Sequence, residues 1–88
     1  MNTVDELRHK IEKLDREILQ RLAARFDLAT EIGELKRTAG TPFYVPAREE
    51  RLLTELEALC GTEGIHISRT ALRSIWREII SASIAQEK

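Results

Sequence analysis

The sequence predicts an all-α fold of three helices per chain, one long and two shorter, in which part of the long helix meets another chain. Three observations predict it. Apolar residues recur at spacings of three and four along most of the chain. Apart from Gly33, glycine and proline fall in two short segments only, 40–46 and 61–64. The longest uninterrupted stretch is too long for one chain of 88 residues to cover by itself.

The first helix is expected over residues 3–38. Thr3 with Glu6 forms a capping box, and Val4, Leu7, Ile11, Leu14, Ile18, Leu22, Leu28, Ala29, Ile32 and Leu35 lie along one stripe. At about 1.5 Å per residue this helix is roughly 50 Å long, so part of its stripe must meet another chain. The segment Ala39 to Pro46, with Gly40 and Pro42, breaks it, and Pro46 suits the first turn of the second helix. That helix is expected over 46–60, with Leu52, Leu53, Leu56 and Leu59 as its stripe and Gly61 and Gly64 as its stop and turn. Ser68 is the expected N-cap of the third helix, over 69–87, on which Leu72, Ile75, Trp76, Ile79, Ile80 and Ser83 share a broad face.

Composition narrows the function. With 42% hydrophobic and 33% charged residues the chain is globular and forms one domain, 1–88. A net charge of −1, with acids and bases interleaved, offers no field to attract nucleic acid or an anionic membrane surface. No apolar run approaches the roughly 20 residues needed to span a bilayer, and the N-terminus reads as neither signal peptide nor anchor. The single cysteine, Cys60, has no partner for an internal disulfide and no Cys/His cluster beside it for zinc, which points to the cytoplasm. Trp76 and Phe26 read as core aromatics, and His9 and His66 lie outside the stripes.

The informative residues are the charged ones that interrupt the apolar stripes, because burying an unpaired charge costs several kcal/mol. Arg25 lies seven residues from both Ile18 and Ile32 and so faces the core. Lys36 follows it by eleven residues, three turns of helix, which returns it to within about 20° of the same face. Arg48 precedes Leu52 by four and Leu56 by eight, and Ser83 and Glu87 extend the apolar face of the third helix. One such arginine alone is ordinarily a snorkelling side chain or half of a rim salt bridge. Three inward cations with Glu49 as their evident carboxylate are harder to neutralise internally, and a bound dianion would balance them. Spacing leaves both readings open. Arg8, seventeen residues before Arg25, stands about 25 Å away along the axis and about 100° round it. It either pairs with Asp5 or Glu12 at the surface or reaches a site on a partner chain.

Over almost its whole length the sequence resembles the all-helical, AroQ-class chorismate mutase family. The resemblance is carried by ELRHKIEKLDREILQRLAARFDLATEIGELK in the first helix, by Pro42 to Glu49 with its closing Arg-Glu, and by IWREIISASIAQE in the third. It implies rearrangement of chorismate to prephenate, in the route to phenylalanine and tyrosine, with no cofactor and no metal. It also implies an intertwined helical homodimer and roles within it: Arg25, and Arg8 from the other protomer, grip the substrate's two carboxylates. Lys36 bonds a carboxylate and the breaking ether oxygen, Arg48 stands on the carboxylate side, Glu49 accepts from the ring hydroxyl, and Ser83 lies near a carboxylate. One position departs from the family. Val45 stands where relatives often carry Asp, leaving at most a backbone N–H for the ring hydroxyl. The family's last site residue, Gln or Glu, sits four after the serine, which makes it Glu87 rather than Gln86 here; helical geometry agrees, since a step of four stays on the Ser83 face.

Such a rearrangement breaks a C–O bond as a C–C bond forms, so it calls for no nucleophile. A protein assists by holding the compact conformer through its carboxylates and by stabilising charge that develops on the ether oxygen. A donor role for Glu87 requires its protonated form, so turnover is expected to fall as pH rises and Glu87 ionises. Two rival readings are isochorismate-pyruvate lyase, which shares the fold and similar arginines, and a non-catalytic helical dimerisation or regulatory module. The resemblance is strongest to mutase domains fused ahead of a prephenate-processing enzyme such as the dehydratase, which implies that the chain is one module of a longer protein.

Overall fold

A computed structural model describes residues 3–42 and 44–88. Phe43, inside the Pro42–Glu49 motif, and the first two residues lie outside the described set. The described residues form three α-helices in the order α1 (Val4–Ala39), α2 (Pro46–Glu63) and α3 (Arg69–Glu87). No strand occurs among them.

Each boundary has a local cause. Thr3 caps α1: its hydroxyl accepts from the Glu6 N–H at 3.2 Å while the Glu6 carboxylate accepts from the Thr3 N–H at 3.4 Å. Asp5 and Glu6 in the first turn and Lys36 and Arg37 in the last suit the helix dipole. Gly40, left-handed at φ 70°, ends the helix. Pro46 occupies the first turn of α2, with Val45 extended before it. The Ser68 hydroxyl accepts from the Ala71 N–H at 3.1 Å and opens α3.

One expected boundary is corrected. The second helix does not stop at Cys60 but runs three residues further, through Gly61 to Glu63. The stop is set by backbone handedness rather than by the first glycine met. Gly64 adopts φ 65° and its N–H bonds to the Cys60 carbonyl, whereas Gly61 keeps helical geometry. Cys60 is therefore inside α2, half-buried, rather than at its end.

α3 is the central element: it packs on both α1 and α2, while α1 and α2 do not pack on each other. Leu53 on α2 and Leu72 on α3 are buried, and Arg73 of α3 reaches Glu50 at 2.9 Å and also pairs with Glu57. Arg69 adds a bond to Glu57 at 3.3 Å. Against α1, the buried positions are Ala29 and Gly33, both small residues of its C-terminal half. The N-terminal half of α1 is uncovered: Leu7, Ile11, Leu14 and Ile18 each keep 45–55% of their surface exposed. Trp76 and Phe26 are half-buried.

Candidate active site

A cavity of about 450 Å³ opens between the C-terminal half of α1, the first turns of α2 and the end of α3. Leu28, Ala29, Ile32, Leu52, Ile80 and Ile84 supply its apolar walls. Its polar lining comes from all three helices. α1 gives Arg25 and Lys36, α2 gives Arg48 and Glu49, and α3 gives Ser83 and Glu87, with Val45 at the cap of α2. The eleven-residue step between Arg25 and Lys36 and the four-residue step between Ser83 and Glu87 each return to one helical face. Packing α3 on α1 then sets those two faces opposite one another.

Two bridges join them. The Arg25 guanidinium donates to the Ser83 hydroxyl, which itself donates to the Ile79 carbonyl at 2.8 Å. One turn further on, Lys36 Nζ lies 3.1 Å from Glu87 Oε1. Glu87 is buried and Gln86 exposed, so the step of four from Ser83 selects the residue that enters the cavity. Glu87 Oε2 is buried with no hydrogen-bond partner among the described residues. Glu87 thus joins Glu49 as a second carboxylate facing the cations.

The electrostatics remain one-sided. Three cations face two carboxylates in the lining. Burial, and then the like charge of Arg48, hold the Arg25 guanidinium below its ordinary pKa. A guanidinium stays charged at any physiological pH, so that depression marks a cation short of negative partners. An anion is the species that would relieve it.

Arg8 does not line this cavity. It sits exposed near the start of an unbroken helix, with about 25 Å of axial rise between it and Arg25. Tyr44, by contrast, lines the cavity although nothing in the helical pattern singled it out. Its phenol is half-exposed, and a hydrogen bond to Glu49, reinforced by that carboxylate's charge and by slight burial, raises it above its ordinary pKa. Thr41 and Pro42 complete this irregular wall. No periodic signal in the sequence marks these residues, because they fall between helices.

A second cavity, of about 440 Å³, lies at the other end of α2 and is lined by Cys60, His66 and Glu57 among others. No group of three His, Cys, Asp or Glu suited to a metal ion occurs among the described residues. None of the described helices is long and apolar enough to cross a membrane.

Comparison with known proteins places this arrangement. A "Bifunctional chorismate mutase/prephenate dehydratase" of Aquifex aeolicus is 40% identical over 89 aligned positions, covering 100% of this chain and 25% of the relative. A "T-protein" of Haemophilus influenzae is 35% identical over 99% of this chain and 22% of its own length. A "Chorismate mutase" of Methanocaldococcus jannaschii is 36% identical over 68% of this chain and 61% of its own length. The chain therefore spans a quarter or less of the first two relatives. The profile described as "Chorismate mutase type II" matches residues 7–88, which include every side chain of the charged cavity, and the chain belongs to that family.

Proposed function

We propose that this chain is a chorismate mutase, rearranging chorismate to prephenate in a cavity that a second copy of the chain completes. One observation carries the reading: Arg25, Lys36 and Arg48 converge with Ser83 and Glu87 on a single apolar-walled cavity. Family membership supports the same reaction.

In this mechanism Arg25, steadied by Ser83, and Arg48 hold substrate carboxylate charge, which selects the folded conformer in which the new C–C bond can form. Lys36 bonds a carboxylate and the ether oxygen on which negative charge grows as the C–O bond breaks. Glu49 accepts from the ring hydroxyl, with the Val45 N–H alongside. Glu87 in its protonated form is the second donor to the ether oxygen. The buried and unpartnered Oε2 supports this, since a proton there has no acceptor within the described protein and finds one in the substrate. Neutral Glu87 also leaves three cations against Glu49 alone, a surplus of two that matches a dicarboxylate.

The intertwined homodimer belongs to the same proposal. The uncovered stripe from Leu7 to Ile18 needs a partner surface, and Arg8 on the same half of α1 is set to complete the partner's cavity. An unpaired Cys60 fits a cytoplasmic setting.

The test is product identity. Incubated with chorismate, the chain is expected to yield prephenate. Pyruvate from isochorismate without prephenate from chorismate would make it a lyase, and no turnover of either, at concentrations where the chain is dimeric, would make it a helical module.

A further inference from the structure

Glu87 sits in the last turn of α3, where a helix would ordinarily fray, yet it is buried and bonded to Lys36. Something other than α3 must hold that turn. Gly33, the one glycine inside α1, is buried against it. A Cβ built on Gly33 would stand 2.5 Å from the Cα of Glu87 and 2.7 Å from its carbonyl carbon. These are backbone atoms, which cannot rotate aside, and carbon atoms pack at about 3.5 Å or more. Any larger residue would therefore push the two helices apart by about 1 Å.

One turn along the same face, Arg37 donates from Nη1 to the backbone carbonyl of Glu87 at 2.7 Å and to that of Lys88 at 3.3 Å. Its charge meets the negative end of the α3 dipole. Gly33, Lys36 and Arg37, at steps of three and four, thus form a triangle on one turn of α1. Two corners take the backbone of Glu87 and the third its side chain.

We propose that Gly33 and Arg37 form a seat for the last turn of α3, and that this seat places the Glu87 carboxyl at Lys36 and the cavity. Both are positioning residues that act through Glu87. The seat itself is independent of the reaction, and only its effect on turnover rests on the mutase reading.

A double-mutant cycle on the intact chain tests it. Gly33→Ala is expected to lower kcat for chorismate by on the order of 100-fold, with KM changing far less. Arg37→Ala should lower kcat by a smaller factor, and Arg37→Lys should restore part of the loss. In a Glu87→Ala background neither Gly33→Ala nor Arg37→Ala should lower kcat further. If each lowers kcat there by the same factor as in the wild type, the seat does not act through Glu87 and the proposal falls. Should Gly33→Ala not fold, the Arg37 arm of the cycle decides alone.

A second measurement does not depend on activity. Proton NMR should show an Hα–Hα cross-peak between Gly33 and Glu87 in the wild type, and its absence would overturn the seat. A wild type that leaves chorismate untouched but shows the cross-peak would refute the mutase reading and uphold the seat.

Discussion

Glu87 has two oxygens in different circumstances, one held 3.1 Å from Lys36 and the other buried with no hydrogen-bond partner among the described residues. A carboxylate offers only acceptors, so donation to an ether oxygen requires the acid form. Glu87→Gln carries an N–H donor in place of the acid proton and is expected to keep kcat/KM within about tenfold of the wild type, whereas Glu87→Ala should lose about 10²–10³; equal losses in the two variants would remove Glu87 from the donor role. Lys36→Ala, which deletes the fixed cation at the same oxygen, is expected to lower kcat by about 10²–10³. Both residues were legible in the sequence because helical spacing is arithmetic: eleven residues from Arg25 to Lys36 and four from Ser83 to Glu87 each close on one face. Tyr44 was not legible. It lies in an irregular segment where no period relates a residue to its neighbours in space, so its place beside Glu49 emerges only from the folded chain.

At the scale of the helix, capping chemistry was readable and one terminus was not. Thr3 with Glu6 and Ser68 each bond the backbone groups that their residue types favour. Two glycines three residues apart at the end of α2 look alike in sequence, but only Gly64 takes the left-handed conformation. They should therefore respond oppositely to the same substitution. Nothing lies within 4 Å of a Cβ added at Gly61, and Gly61→Ala is expected to stabilise the chain by about 0.5–1 kcal/mol in denaturant unfolding. Gly64→Ala, forced to φ 65°, should destabilise it by about 1 kcal/mol. Equal effects at both positions would mean that α2 does not end where described.

At the scale of the molecule, the dimensions themselves argue for a partner. The chain measures 57 × 25 × 18 Å, and α1 accounts for the long axis. Its radius of gyration is 16.2 Å, against about 12 Å for a compact domain of this length. It exposes 7097 Å², about 1,800 Å² more than folded monomers of its mass expose. An excess of that size, lined by Leu7, Ile11, Leu14 and Ile18, suits an obligate interface. The length of α1 alone indicated as much from sequence, since no 88-residue chain can cover so long a stripe. Which surface would cover it in the proposed homodimer was not legible, because a partner's register would leave no mark in the period of either helix. Turnover is accordingly expected to vanish on dilution below the dimer dissociation constant, and a fully active monomer would contradict a shared site.

The most direct test of that shared site uses two damaged chains. Arg8→Ala and Arg25→Ala should each be nearly inactive alone. In a mixed dimer, one cavity combines the intact Arg25 of the first chain with the intact Arg8 of the second, while the other cavity lacks both. Random reassembly of equal amounts makes half the dimers mixed, so about a quarter of all cavities are restored by two-fold symmetry. Recovery of chorismate turnover to about a quarter of the wild-type rate on mixing is the predicted result. No recovery, from variants shown to exchange partners, would contradict it.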